Sequence, residues 1–508
     1  MKKLFSILIL VFLLIGLISC KKEIEPIIEP IDLSLVYPQN DVYYEIFVRS
    51  FADSDADGIG DLNGITQNLD YIEELGATAI WLMPINPSPA YHGYSVTDYY
   101  DIESDYGTLD DFQNLIDEAS SRDIDIIIDL VINHTSDQHP WYLSAVSSTS
   151  SEYRDYYIWN NGSAYESFVG GMKDLNFNNI AVISEVKDIM NFYLEMGVHG
   201  FRIDAAKHLI ESNSATIDNA LLIFELNQYM KSIDPNSFLV SEVFDYNYQF
   251  TTDYYIGSDS LFNFGAAANI WDKVGYGNNR TLFVSNLKKA YDDFRQIKVD
   301  FVDSPFIDNH DVDRIASMGG FNTYNTLEKI ALASRISLTL PGSPFIYYGD
   351  EIGMKGFRYE GYNMPGYGTV YDEYRRQPFL WGSATYQTTW LPSDGSNDTT
   401  ETLSAQRDLE GSLFNQYKQM IEIRKNNPAL MYGNYFEAYV NNTSNIQGYL
   451  RYFMYEDVEQ AVLVLHNLSQ DSYAVDIEYL EILYGTLNIP AYGSLIVTID
   501  PDRIEEYI

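Results

Sequence analysis

Short apolar segments with the composition of β-strands recur along this chain, and helical stretches such as LDDFQNLIDEASSRD (109–123) separate them. Near-continuous apolar strands are typical of a parallel sheet covered by helices. Eight strands of this kind predict an α/β fold, a closed (β/α)8 TIM barrel. The predicted strands are VYYEIFVRS (42–50), ATAIWLMP (77–84), DIIIDLVI (125–132), GFRIDA (200–205), FLVSEVF (238–244), SLFNFG (260–265), FVDSPFIDN (301–309) and SPFIYYGDE (343–351).

Two regions depart from the barrel repeat. Residues 135–175 are rich in Ser, Tyr, Asn and Gly, and they are predicted to form a domain inserted after strand three. After a helical segment at 412–427, residues 430–508 change to short β-type runs, which predict an all-β C-terminal domain of the sandwich type. The barrel itself is then built from residues 37–134 and 176–429.

The N-terminus has the pattern of an export signal. A basic start precedes the apolar run 4–18, and Cys20, the single cysteine of the chain, follows it. This pattern predicts a signal peptide over residues 1–20, and Leu-Ile-Ser-Cys resembles the lipobox of bacterial lipoproteins, which implies lipidation of Cys20. Residues 21–36 are predicted to be a tether. We expect an exported protein that is lipid-anchored at the extracellular or periplasmic membrane surface; an uncleaved anchor or an unlipidated signal are the alternatives.

The charge balance excludes some partners. The chain has 73 acidic and 31 basic residues, a formal net charge of −42. Nucleic acid is excluded because phosphate binding needs a basic surface, and electrostatic docking on anionic lipid is disfavoured for the same reason. The 43 tyrosines suit carbohydrate, whose rings stack on aromatic faces, although most of them are expected to serve in packing.

Three carboxylates lie at or near the ends of predicted strands. Strand alternation places Arg202 on the same face as Asp204, where its guanidinium stabilises the negative charge that a nucleophile needs; a structural ion pair is the alternative. Glu242 ends an apolar strand, and desolvation raises a carboxyl pKa, which suits a general acid. Asp311 stands beside His310 on a third predicted strand. Paired carboxylates are the minimal machinery of glycoside hydrolysis.

Taken together, four segments resemble the signature regions of the α-amylase superfamily of glycoside hydrolases, over roughly residues 37–508. They are DLVINH (129–134), GFRIDAAKH (200–208), VSEVF (240–244) and FIDNHD (306–311). The resemblance implies that Asp204 is the nucleophile, Glu242 the general acid/base and Asp311 the transition-state stabiliser. The contacts to the sugar at the cleavage point that it implies are His92, Tyr94, His134, Arg202 and His310.

Two details of the resemblance concern the substrate. Lys207 and His208 are similar to the pair that lines the subsite beyond the cleaved bond in true α-amylases. MKDLNFNN (172–179) resembles a segment of enzymes intermediate between α-amylases and oligo-1,6-glucosidases, with Lys173 in place of the usual proline. We therefore expect retaining hydrolysis of α-1,4 bonds in starch, glycogen and maltooligosaccharides. The alternatives are an α-glucosidase, neopullulanase or transglycosylase of the superfamily, and a non-catalytic glycan-binding or transport-partner protein.

DSDADGIGD (53–61) has the pattern of a calcium loop, with carboxylates at alternate positions and Gly58 for the turn. Gly64 stands where an EF-hand needs glutamate, so the loop is not an EF-hand, and a solvated acidic turn is the alternative. It resembles the metal loop of the superfamily, which implies calcium as the bound ion. The ligands implied are Asp53, Asp55, Asp57, Asp61 and the Ile59 carbonyl, with a second, weaker site at Asn133 and Asp174.

Overall fold

The computed structural model describes residues 40–168, 170–323 and 326–508, together with Leu33. The expected signal segment (1–20) with Cys20 lies outside these residues, as does the expected tether (21–36) apart from Leu33. No helix in the described part of the chain has both the length and the apolar character needed to cross a bilayer.

The eight predicted strands form one parallel sheet, in which the first seven are neighbours in chain order and the eighth pairs with the first. Its two ends meet, since the Ser343 N–H donates to the Asp303 carbonyl at 2.7 Å and the Phe345 N–H to the Pro305 carbonyl at 2.9 Å. The predicted barrel is thereby confirmed. The strands are β1 (Tyr43–Ile46), β2 (Ala79–Leu82), β3 (Asp125–Leu130), β4 (Gly200–Ile203), β5 (Phe238–Ser241), β6 (Ser260–Phe262), β7 (Val302–Ser304) and β8 (Phe345–Tyr347).

Helices follow the strands, as the sequence predicts for a barrel. Thr108 and Asp111 form a capping box that starts the helix after β2, and Gly197, at a φ of +98°, ends the helix after β3. Only 3₁₀ turns lie between β5 and β6. The α-helices are Val48–Phe51, Leu62–Gln67, Leu69–Leu75, Leu109–Ser120, Pro140–Ser147, Ile180–Met196, Ala215–Ile233, Phe264–Ile270, Phe283–Ile297, Thr326–Thr339, Leu403–Gln406, Leu413–Lys425 and Pro428–Met431.

Aromatic and branched side chains fill the barrel interior. Tyr43 stacks on Phe345 with ring centroids 4.4 Å apart, and Trp81 packs against Phe262 at 5.2 Å. Ile127, Phe238 and Val240 complete this buried cluster. The barrel is therefore a packed core rather than a channel, and a site must lie at one of its two ends.

Every strand of the barrel is shorter than its predicted run, and in two of them the local cause is visible. The run 42–50 is strand only as far as Ile46, because a helical turn begins at Val48. The run 301–309 is strand only over β7, because Pro305, which follows it, has no N–H to continue the ladder. The expectation that Asp311 ends a strand is therefore wrong, since it lies in the loop that follows β7.

Two smaller regions match the expected insertion and C-terminal β region. Within the insertion, His134–Ser136 pairs with Met172–Asp174, and Trp159–Asn160 with Ser163–Ala164, around the helix Pro140–Ser147. The C-terminal region is an antiparallel sheet in the order β9-β10-β11-β13-β12, with a short pair, Tyr473–Ala474 and Asn488–Ile489, beside it. Its strands are β9 (Tyr435–Ala438), β10 (Ile446–Tyr455), β11 (Val458–Asn467), β12 (Glu481–Tyr484) and β13 (Ser494–Ile499).

Candidate active site

A cavity of about 510 Å³ opens at the carboxyl ends of the barrel strands. Asp204 directly follows β4, Glu242 directly follows β5, and the loop after β7 brings Asp311 to the same place. The structure therefore brings together the three carboxylates that the sequence singled out. The cavity is lined by His92, Tyr94, His134, Phe168, Met172, Asp204, Ala205, Lys207, His208, Glu242, Phe244, Asp311, Asp372 and Arg376.

Arg202 lies beneath this cavity with no exposed surface. Its Nη1 is 2.8 Å from an oxygen of Asp129 and 2.5 Å from Asp204, and its Nη2 is 3.5 Å from Glu242. One guanidinium therefore contacts three carboxylates and stabilises negative charge on each of them. Arg202 thereby holds the Asp204 carboxylate in a fixed position at the cavity, as a carboxylate nucleophile requires.

Glu242 has the environment of a general acid. Burial raises the pKa of its carboxyl group, and the charges of Asp204 and Asp311 act in the same direction, while Arg202 opposes them. The Ala205 N–H donates to Glu242 at 2.8 Å, and Ala205 itself holds a φ of +47°, a conformation that costs free energy for a residue with a side chain. Backbone strain at Ala205 therefore accompanies the positioning of Glu242, whose carboxyl group holds its proton more readily than that of an ordinary glutamate.

Asp311 has the opposite environment. Its carboxylate lies 3.1 Å from Nε2 of His310 and 3.2 Å from Nη2 of Arg376. Burial acts to raise the pKa of Asp311, but the positive charges of His310 and two arginines outweigh it, so the pKa is lowered. Asp311 therefore presents a permanent negative charge to the cavity, which suits the stabilisation of a cationic transition state.

The predicted sugar contacts fall into two groups. Tyr94, His92, His134, Lys207 and His208 line the cavity. Arg202 and His310 do not line it, because both are fully buried behind the carboxylates that they contact.

Tyr94 connects the residues that line the cavity with the residues buried behind it. Its hydroxyl is 2.7 Å from Nε2 of His310 and donates to Asp129 at 2.9 Å. Lys207 is also held in place, since its Nζ donates to the Phe244 carbonyl at 2.6 Å. Tyr94 and Lys207 are thus held in place before a substrate arrives, which lowers the cost of binding.

Sequence reasoning missed four charged residues of the site. Asp129 opens the segment DLVINH, and the alternation of β3 could have identified it as a partner of Arg202. Asp372 and Arg376 lie in the long loop after β8 and pair at 2.8 Å, far from every motif. Glu45 on β1 contacts His310 at 2.5 Å. The last three carry no signal in the sequence, because only the fold brings them together.

The loop at 53–61 folds as the calcium pattern predicts. Oxygens of Asp53, Asp55 and Asp57 lie within 4.8 Å of one another. Asp53 accepts from the N–H groups of Ala56 and Gly58, which wraps the loop around its carboxylate. Hard oxygen donors in this arrangement fit a calcium ion, which would also relieve the repulsion among the three charges.

Asp61 lies outside that group of three. One of its oxygens accepts from the Ser54 hydroxyl and the Gly64 N–H, and the other from the Ser54 N–H. Asp61 therefore caps the helix Leu62–Gln67 and ties it to the loop. The Ile59 N–H donates to Asp57 at 2.7 Å, so the backbone at Ile59 is held against the carboxylate of Asp57.

The predicted second metal site, at Asn133 and Asp174, contains two buried side-chain oxygens. Oδ1 of Asn133 and Oδ2 of Asp174 are buried and have no hydrogen-bond partner among the residues that the structure describes. Both residues contact Ser167 through their other side-chain atoms, so the two free oxygens belong to one region between the barrel and the insertion. Unpartnered buried oxygens cost free energy, and a cation would satisfy both.

Comparison with known proteins gives consistent matches. The family model described as alpha amylase, catalytic domain, matches residues 45–433. "Alpha-amylase 3" of Dictyoglomus thermophilum is 42% identical over 457 residues, which cover 85% of each chain. "Glucan 1,6-alpha-glucosidase" of Streptococcus pneumoniae is 30% identical over 508 residues, which cover 86% of this chain and 92% of the relative. The crystal structure of an alpha-amylase from H. orenii superimposes with a TM-score of 0.78 at 35% identity, covering 91% of this chain and 100% of the other.

Proposed function

The chain belongs to the α-amylase family of glycoside hydrolases, and we propose that it cleaves α-1,4-glucosidic bonds of starch, glycogen and maltooligosaccharides with retained configuration. The observation that carries this proposal is the convergence of Asp204, Glu242 and Asp311 on one cavity, with Arg202 beneath the first two. The pKa of Glu242 is raised, as a general acid requires, whereas the pKa of Asp311 is lowered, as a group that must stay negatively charged requires.

In the first step Asp204 attacks the anomeric carbon while Glu242 donates its proton to the departing glycosidic oxygen. The bond to the leaving group breaks, and an ester forms between the sugar and Asp204. Asp311 stabilises the positive charge that develops on the sugar ring between these states.

In the second step Glu242, now a carboxylate, removes a proton from a water molecule. The oxygen of that water bonds to the anomeric carbon, and the ester to Asp204 breaks. Two inversions give net retention, and both carboxyl groups return to their starting protonation.

The proposal also specifies which glucosidic bond the enzyme prefers to cleave. Lys207 and His208 line the cavity, as expected for the subsite beyond the cleaved bond of an α-amylase. Lys173, which replaces the usual proline of its segment, forms an ion pair with Glu166 in the insertion. The name of the glucan 1,6-alpha-glucosidase relative supports cleavage of α-1,6 bonds as the alternative preference.

Chromatography of products over time from starch, pullulan and maltotriose distinguishes these activities. We expect starch to give a mixture of maltooligosaccharides from the earliest times. Glucose alone would indicate an α-glucosidase, early cleavage of pullulan a neopullulanase, and products longer than maltotriose from maltotriose a transglycosylase. No product from any of the three would support a non-catalytic protein and contradict the proposal.

Two substitutions test the assigned roles. Glu242→Gln removes the transferable proton and Asp204→Asn removes the nucleophile, so each should lower kcat by at least about 1000-fold while oligosaccharide binding persists. Asp245→Asn, a nearby carboxylate outside the cavity lining, is the matched control and should leave kcat unchanged. Turnover at the wild-type rate by either of the first two variants would contradict the assignment.

The acidic loop is proposed to hold calcium. Asp53, Asp55 and Asp57 would provide the ligands from their converging carboxylates, with Asp61 and the Ile59 carbonyl as further candidates. Asn133 and Asp174 would hold a second ion through their unpartnered oxygens. Calcium at these places would stabilise the segments that supply its ligands without taking part in the bond cleavage.

We also propose, from the sequence, that the enzyme is held at the membrane surface. A lipid on Cys20 would retain the enzyme at the membrane surface, and stable anchoring needs more than one acyl chain. Cell fractionation with mass spectrometry of the mature N-terminus tests this: we expect a lipidated Cys20 in the membrane fraction, and Cys20→Ser should release the protein or block its processing. An unmodified cysteine, or cleavage elsewhere into a soluble product, would contradict the proposal.

A further inference from the structure

Glu45 is a buried carboxylate that the reaction steps above do not use. It lies on β1 with 1% of its surface exposed, and it does not line the cavity. Its Oε1 is 2.5 Å from Nδ1 of His310, a residue with no exposed surface. A buried acid is costly unless a partner compensates its charge, so this contact needs a cationic or hydrogen-bonding partner.

The other nitrogen of the same ring faces the active site. Nε2 of His310 is 3.1 Å from Asp311 and 2.7 Å from the hydroxyl of Tyr94. The imidazole ring thus stands between two carboxylates, one on each nitrogen. A neutral imidazole has a single N–H and could donate to only one of them, whereas the imidazolium donates to both.

We infer that Glu45 is a positioning residue whose carboxylate keeps His310 protonated on both nitrogens, so that His310 holds Asp311 ionised and fixed at the cavity. The inference rests on the proposed function only in giving Asp311 a catalytic role. Glu45 itself touches neither the substrate nor the reacting atoms.

The electrostatic surroundings support this protonation state. Burial acts to lower the pKa of His310, but the charges of Asp311 and Glu45 outweigh burial and raise it to about 9. The arginines nearby act against the imidazolium, so the two carboxylates in direct contact are decisive. The charged and titratable groups around the pair of Glu45 and His310 are Tyr94, Asp129, Arg202, Asp308, Asp311, Tyr347 and Arg376.

The direct test is an NMR titration of the enzyme with isotopically labelled histidine rings. The chain has seven histidines, and His310→Gln assigns the resonance of interest. In the wild type we expect His310 to titrate above its ordinary pKa of 6.5. Glu45→Gln keeps the size of the side chain but removes its charge, so the pKa of His310 should fall by at least about one unit.

A matched control separates charge from burial. Glu351 is another fully buried glutamate of the barrel, bonded to Tyr44 and to the Gly349 N–H, and no contact joins it to His310. Glu351→Gln should cost stability without moving the titration of His310. This readout needs no substrate, so it remains informative even if the proposed activity is wrong.

Kinetics give a second readout that a merely structural role would not produce. For Glu45→Gln we expect kcat near neutral pH to fall by about tenfold with KM almost unchanged, because Glu45 does not reach the cavity. The loss should shrink as the pH is lowered and His310 regains its proton.

The inference is overturned if wild-type His310 titrates at or below 6.5, a measurement that does not depend on the folding of any variant. It is also overturned if folded Glu45→Gln leaves that titration in place, or if Glu351→Gln shifts it equally.

Discussion

Arg202 is the residue on which the arrangement of the carboxylates depends. It has no exposed surface, and its two terminal nitrogens reach Asp204 and Glu242 separately. A lysine could not replace it, because one ammonium group cannot occupy both positions. A single planar cation therefore orients the nucleophile and the acid relative to each other.

The pKa shift of Asp311 predicts a pH-dependent contribution to stability. A carboxyl group whose pKa is lowered on folding stabilises the folded state above its ordinary pKa of 3.8, and this stability is lost as the pH falls. Measured by calorimetry from about pH 6 to about pH 3, the Tm of wild type should exceed that of Asp311→Asn by an amount that shrinks on acidification. A Tm difference that stays constant over this range would contradict the lowered pKa.

At the scale of single elements, the loop at 53–61 should respond to chelation. A calcium ion bound only by the folded state adds stability by mass action, so a chelator should lower the Tm of the wild type. Asp55→Ala combined with Asp57→Ala should remove this sensitivity, because both carboxylates belong to the group of converging oxygens.

The matched control is Asp457→Ala combined with Asp476→Ala, which removes two exposed charges far from the loop in sequence. It should retain the full response to chelator. An unchanged Tm of the wild type on chelation would show that the loop is only a solvated acidic turn.

The sequence predicted the elements better than their ends. All eight strands were identified because each is an apolar run, and Asp204 and Glu242 follow directly from strand patterns. Asp311 was placed on a strand, although Pro305 ends β7 well before it. Proline at that position was visible in the sequence, so this error could have been avoided.

The partners of these residues could not be predicted. Glu45 and Arg376 contact His310 and Asp311 across 265 and 65 positions of the chain. No local pattern encodes such a contact, because it depends on how the barrel closes and where the long loop after β8 returns. The sequence therefore predicts the three carboxylates of the proposed reaction, whereas the groups that surround them depend on the fold.

At the scale of the whole molecule, the buried Arg451 attaches the C-terminal sheet to the barrel, and the buried Arg424 joins two helices of the barrel. Arg424 donates to the carbonyls of Leu338 and Leu340, and Arg451 of β10 donates to the carbonyl of Thr339 at 2.5 Å. These carbonyls lie at the C-terminal end of the helix Thr326–Thr339, where no backbone partner remains. The arginines therefore satisfy groups that would otherwise be buried without hydrogen bonds.

Replacing Arg451 should weaken this attachment. Arg451→Met keeps the bulk of the side chain but leaves the Thr339 and Gly433 carbonyls without their donor, which should lower the free energy of unfolding by about 2–4 kcal/mol. Urea unfolding measures this loss, and kcat on starch should be unchanged. Arg503→Met, at a partly exposed arginine of the same region whose partners are the carboxylates of Glu478 and Glu506, is the control and should have little effect. Equal stability of Arg451→Met and wild type would contradict the account.

The most direct measurement of the central claim is the trapping of the covalent intermediate. A fluorinated α-glycosyl fluoride slows the second step more than the first, so the sugar ester should accumulate on the enzyme. Mass spectrometry of the digested protein should then find the sugar on the peptide that contains Asp204, and Asp204→Asn should remain unlabelled. A sugar attached to any other residue, or the same labelling of Asp204→Asn, would contradict the assignment of Asp204 as the nucleophile of a retaining glycoside hydrolase.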